Sequence, residues 1–217
     1  MILSDTNYKF IDTTAFQPMA RSVACHIVGL DAARRYLLFV GRLDDSVKRV
    51  SALIQAFAAL AVEYRDVDLL VVGEGNDGPK LRCLAAELAP SRVRFQGWVS
   101  GAKALAPLYN AAECLVLPSW REGFPSVVGE AMACGTPILA SHVGGVSEVV
   151  VEGQTGWLIP PGNDRALAAG LSFILTRPEV VASMRPQARA MAEACVSPAV
   201  IAAALRQCFS IKGRQHG

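Results

Sequence analysis

No Cys-x-x-Cys pair joins any of the six cysteines; Cys25, Cys83, Cys114, Cys134, Cys195 and Cys208 fall mostly inside apolar runs, where a thiol behaves as a small hydrophobe. That usage suits a reducing compartment. His26, His142 and His216 lie at no metal-ligand spacing, so no metal is expected. An excess of one charge is missing too: 21 Lys plus Arg against 19 Asp plus Glu leave +2, too little for a basic field that would hold a nucleic-acid backbone, so nucleic acid is not the expected partner. The start, Met1-Ile2-Leu3-Ser4-Asp5, has neither the basic nor the apolar region of a secretory signal, and no Asn-x-Ser/Thr sequon occurs. The longest uncharged stretch, 131–147, is broken by Gly135, Pro137, Gly144 and Gly145, so it is no spanning helix of about 20 apolar residues. The expected setting is the cytoplasm, in solution or in peripheral contact with the inner membrane face.

What is present is apolar bulk: 52% of the 217 residues are hydrophobic and 18% charged, the composition of a closely packed domain. From Tyr36 onward, short β-rich runs at 36–40, 68–72, 92–96, 114–118, 137–140 and 157–159 alternate with helical patterns. Residues 48–64 carry Leu53, Phe57, Leu60 and Tyr64 at helical spacing and read as one crossover helix, and Leu81, Leu84, Ala85 and Leu88 mark the next. This alternation predicts an α/β fold with a parallel, Rossmann-like sheet covered by helices on both faces. Gly41, Gly73, Gly97, Pro118 and Ser141 follow the strands, so the ligand edge is expected at the carboxyl ends. After Pro161 the pattern turns helical, with Asn163 capping 164–175, then 178–195 and 198–210. Residues 1–35 are poorly periodic and read as an extended, linker-like arm laid on the domain 36–217.

The most informative stretch is Pro118-Ser119-Trp120-Arg121-Glu122-Gly123-Phe124-Pro125-Ser126-Val127-Val128-Gly129-Glu130. It leaves a strand, turns at glycine and enters a short helix near Pro125 or Ser126. The N–H groups of Val127 and Val128 at that helix start would suit a phosphate or polar ligand oxygen. Glu122 and Glu130 bracket the same mouth and can accept hydrogen bonds from sugar hydroxyls, although two glutamates at this spacing are commonly just solvated. A second constellation, Gly41-Arg42-Leu43 with Lys48, places a guanidinium fork and a mobile ammonium at the end of the first strand. Together they could hold a diphosphate. The plain alternative is Arg42 paired with Asp44 or Asp45 beside a solvated lysine.

In this order and spacing the two constellations resemble the carboxyl-terminal, donor-binding domain of the retaining GT-B glycosyltransferases of the group 1 family. The resemblance runs from Ile11-Asp12-Thr13-Thr14-Ala15-Phe16-Gln17-Pro18, similar to that family's interdomain linker, to about Ser210. The family's Glu-x7-Glu signature is matched by Glu122 and Glu130. The resemblance implies that Glu122 serves the transferred sugar and Glu130 the ribose of a nucleoside-diphosphate sugar, with Gly123, Phe124, Pro125, Ser126, Val127 and Val128 around the donor. Arg42 and Lys48 match the diphosphate-binding pair, although Lys48 lies one residue further on than is common and Arg49 stands where glycine is frequent. It further implies that Gly41, Gly73 and Gly75 line the donor cleft, that Trp98 and Val99 wall the nucleobase, and that Gly144-Gly145 forms a turn near the donor. Trp98 read alone is equally an ordinary loop aromatic.

Gly73-Glu74-Gly75-Asn76-Asp77-Gly78 satisfies Gly-x-Gly-x-x-Gly, but it follows the second strand, carries two acids and has no ribose-binding acid after the next strand, which argues against a nicotinamide cofactor. Asp66-Val67-Asp68 sits at the opposite edge and reads as a solvated turn. The expectation is therefore a donor domain that needs no cofactor and binds a nucleoside-diphosphate sugar. The sugar would pass, with retention, to a carbohydrate or lipid-linked acceptor; the amino-terminal acceptor domain is expected to be absent from this chain, which is then either a fragment or completed by another polypeptide. A non-catalytic nucleotide-binding subunit or truncated remnant, and a sugar-nucleotide epimerase of the same architecture, remain alternatives.

Overall fold

The computed structural model describes residues 11–195. Six strands, β1 (Arg35–Val40), β2 (Val67–Val72), β3 (Val93–Gly97), β4 (Cys114–Leu117), β5 (Ile138–Ser141) and β6 (Gly156–Ile159), form one parallel sheet in the order β3-β2-β1-β4-β5-β6. The sequences of β1 and β2, RYLLFV and VDLLVV, are apolar almost without alternation, as strands covered on both faces must be. β3 lies at an edge and is only half-buried. Between Val71 and Val72 its register with β2 slips by one residue, and Gly97 then turns with φ +67.

The order reverses between β1 and β4. Right-handed crossovers running outward from that point in both directions must put their helices on opposite faces. The packing agrees: α3 (Val50–Ala61) packs with α4 (Gly78–Leu88) and α8 (Asp164–Thr176), whereas α5 (Ala102–Ala111) packs with α1 (Arg21–Ile27) and α6 (Ser126–Ala133), and α6 with α9 (Pro178–Cys195). Two single-turn helices, α2 (Asp45–Lys48) and α7 (Val146–Val149), lie in loops at the carboxyl edge. Asn163 caps α8 as expected, its Oδ1 accepting the Ala166 N–H at 2.9 Å. Among the described residues no single helix is long and apolar enough to cross a membrane.

Two sequence expectations need correction. The arm is not wholly extended: residues 21–27 form α1, with Ala24 and Cys25 buried against the domain. The pattern over 48–64 is two helices rather than one, because Arg49 adopts the left-handed φ of 54 and separates α2 from α3. α5 carries Pro107 in its interior and had no clear periodic signal. The expected helix 198–210, with Cys208, lies outside the described residues.

Candidate functional site

The carboxyl ends of β1 and β2 cross at van der Waals distance, and glycine makes the crossing possible. A Cβ on Gly73, whose φ is +135, would lie 1.9 Å from the Gly41 carbonyl oxygen, and one on Gly75 would lie 2.4 Å from that of Leu43. With no side chain in the way, the Leu43 N–H reaches the Glu74 carbonyl at 2.9 Å and the Gly73 N–H reaches that of Gly97 at 2.7 Å. Beside this crossing, at the β1/β4 switch point, opens a cleft of about 330 Å³. Of the expected residues, Gly41, Arg42, Gly73, Trp98, Val99, Ser126, Val127 and Glu130 line it, joined by Ser100, Gly101 and Leu105. Trp98 is 68% exposed at its rim.

Arg42 is exposed and makes no hydrogen bond or ion pair among the described residues; the alternative pairing with Asp44 or Asp45 is not formed. The guanidinium also borders a second hollow, of about 650 Å³, which contains Gly75, Asp44, Glu74 and Asp77. Three carboxylates, those of Asp44, Glu74 and Asp77, thus surround the Gly-x-Gly-x-x-Gly loop.

Lys48 is not a solvated lysine. Its Nζ lies 2.6 and 2.8 Å from the two carboxylate oxygens of Glu122, which also accepts from the Ser119 hydroxyl at 2.7 Å. The Glu122 side chain is 8% exposed, so this pair is largely withdrawn from water. Neither residue lines the smaller cleft. Their loops are tied together: the Trp120 N–H donates to Val47 O at 2.8 Å, and the Gly145 N–H to Gly123 O at 2.8 Å. Gly144 takes φ +52 there, where a Cβ would stand 2.0 Å from the Glu122 carbonyl oxygen. Arg49, in the position where glycine is frequent, is buried in spite of its charge. It pairs with Asp164 and lies 4.8 Å over the Trp120 ring.

Glu130 enters the cleft from α6, and its Oε2 accepts the Tyr109 hydroxyl at 2.8 Å. The expectation of open N–H groups at the start of α6 is half corrected, because the Val128 N–H donates to Pro125 O at 3.0 Å and its side chain is fully buried. Val128 is a core residue. Phe124 is half-buried and packs against the core, and Pro125 precedes the first turn of α6. Gly123, Phe124 and Pro125 do not line the cleft.

The largest correction concerns Asp68. It is no solvated turn: it is 0% exposed on β2 and holds Arg34, Arg92 and Arg94, with Nε of Arg92 at 2.9 Å and a guanidinium nitrogen of Arg94 at 2.8 Å. Burial would raise its pKa, but the hydrogen bonds from Arg34 and Arg92 and the nearby charges outweigh that and leave it below the ordinary carboxylate value. Ser119, Tyr109 and the arginines around Asp68 were all missed by sequence reading. Each owes its place to partners in space, except that Ser119 stands three residues before Glu122. Among the described residues no group of three His, Cys, Asp or Glu side chains could hold a metal ion.

The family model for glycosyl transferases group 1 matches residues 26–191, most of the chain. The chain belongs to the group 1 glycosyl transferases. Over 153 residues it is 37% identical to a D-inositol 3-phosphate glycosyltransferase of Pseudarthrobacter chlorophenolicus, covering 69% of this chain and 36% of that protein. Sucrose-phosphate synthase of Thermosynechococcus elongatus superposes with a TM-score of 0.82 at 32% identity, over 95% of this chain and 52% of that one. Anabaena HepE, solved with UDP and glucose, gives 0.81 at 24% identity, over 94% and 55%, a likeness of fold. The domain is thus a Rossmann-like half of the GT-B architecture, and the chain spans about half the length, or less, of these relatives.

Proposed function

We propose that this group 1 domain binds a nucleoside-diphosphate sugar and, with an acceptor-bearing half, transfers the sugar with retention of configuration. The observation that carries the reading is the cleft at the switch point, where Arg42, without a partner among the described residues, faces the same space as Glu130 and the glycine crossing. An exposed guanidinium at the end of a strand is suited to a diphosphate, and a carboxylate across the cleft to ribose hydroxyls. Trp98 and Val99 then border the base, and Ser126 and Val127 approach the phosphates or the sugar. That HepE was solved with UDP and glucose supports a nucleotide-sugar donor. Lys48 and Glu122 act as a unit: the ammonium holds the carboxylate that serves the transferred sugar, and passes to the leaving diphosphate as charge builds there.

In the transfer the bond from the anomeric carbon to the diphosphate oxygen breaks, and a bond to an acceptor hydroxyl oxygen forms on the same face. The hydroxyl proton goes to the departing phosphate. Glu122, already engaged by Lys48 and Ser119, is a weak candidate for the base. Calorimetric titration with UDP, GDP and ADP tests the donor site. One of them should bind, and Glu130→Ala should weaken it by about 1–3 kcal/mol, the scale of hydrogen bonds to a charged group. A folded chain that binds none of the three would overturn the reading.

A further inference from the structure

Resting on the donor-site reading, we propose that Tyr109 is a positioning residue for nucleotide binding: its buried hydroxyl fixes Glu130 in the orientation that receives the ribose. Tyr109 is 0% exposed in α5, on the protein side of the cleft, and its hydroxyl donates to Glu130 Oε2 at 2.8 Å. The ring itself cannot drift. Phe16 packs against it edge-on with centroids 6.1 Å apart, and the Thr136 hydroxyl donates to the Tyr109 carbonyl at 2.8 Å. The next residue, Asn110, binds both the Gln17 carbonyl and the Met19 N–H, so this turn of α5 is clamped to the arm.

Burial and the Glu130 charge push the phenol pKa well above its ordinary value, so the hydroxyl remains a donor at any working pH. A glutamate has three rotatable bonds, and on a cleft wall it would lose that freedom when a ligand arrives. Tyr109 removes part of that loss in advance by holding one carboxylate oxygen of the cleft-lining Glu130. Nothing in this role requires Tyr109 to touch the nucleotide.

Titration of wild type, Tyr109→Phe, Glu130→Gln and the double variant with UDP, GDP and ADP, each against its 2′,3′-dideoxy analogue, tests it. Phenylalanine keeps the ring and its packing, and thermal unfolding checks that the fold is retained. Tyr109→Phe should weaken the ribonucleotide about tenfold, as loss of one hydrogen bond to a charged group does. The effect should shrink to about twofold or less for the dideoxy analogue and in the Glu130→Gln background, where the coupled partner is gone. Phe16→Ala, a packing control, should lower the unfolding temperature and leave the ratio between the two ligands unchanged. Equal losses for both ligands in Tyr109→Phe, or wild-type binding by Tyr109→Phe while Glu130→Gln is impaired, would overturn the positioning role and leave the donor site standing. A wild-type chain that binds none of the nucleotides would overturn both.

Discussion

The two edges of the sheet each set carboxylates against basic side chains, and they differ in how completely the charges are used. At the amino edge, Asp68 projects from a buried strand and receives three arginines. Arg92 spends its remaining donors on the carbonyls of Ala61, Tyr64 and Val67, and Arg34 spends one on that of Arg65. That cluster ties the end of α3 to β2 and β3. At the carboxyl edge, Glu122 is saturated by Lys48 and Ser119, but Arg42 has no partner among the described residues and opens on a cleft. The same chemistry gives a brace where every charge has a partner and a binding site where one is left over.

Removing the centre of the brace should have the largest effect. Asp68→Ala leaves the arginines uncompensated, which should destabilise the fold by about 3 kcal/mol, less than a fully buried case because they keep some contact with water. In thermal unfolding that is a drop of about 9 °C for a domain of this size, with nucleotide affinity of the folded protein unchanged. Gly73→Ala strikes stability and binding at once, both from the carboxyl edge. Its Cβ would overlap the Gly41 carbonyl at 1.9 Å, so stability should fall by about 2 kcal/mol and binding should weaken together with it. Arg42→Ala should do the reverse of Asp68→Ala: nucleoside-diphosphate affinity falls about tenfold, that of the bare nucleoside is unchanged, and stability moves by no more than about 0.5 kcal/mol. The smallest effect is on pH. The folded pKa of Asp68 is depressed below 3.8, so its contribution is complete above that value and is lost as pH falls through the depressed one. Acid unfolding below about pH 4 should therefore be less steep in Asp68→Asn than in wild type, read by circular dichroism.

The parallel sheet was legible because its strands are short, apolar and punctuated by glycine, and each of the six expected runs lies within a residue or two of a strand. Glu122, Glu130 and Arg42 were legible as candidates because strand ends and a helix start are local features. What local pattern could not carry is pairing across the chain. Asp68 looked like a solvated turn because the arginines that bury its charge come from positions 34, 92 and 94. Lys48 looked solvated because Glu122 is 74 residues away. Val128 looked open because a helix start normally leaves its first N–H groups unbound, whereas here the Pro125 carbonyl takes one. α1 was hidden in an arm with weak periodicity, and is held by contacts with α5 more than by its own propensity.

The most direct measurement is amide chemical-shift mapping of the labelled chain during titration with the nucleoside diphosphate that binds. Shifts should concentrate at Gly41, Arg42, Gly73, Val99 and Val127, while Val67, Asp68 and Arg92 at the opposite edge stay in place. Shifts centred on the Asp68 arginines, or none at the carboxyl edge at saturating ligand, would contradict the assignment of the donor site.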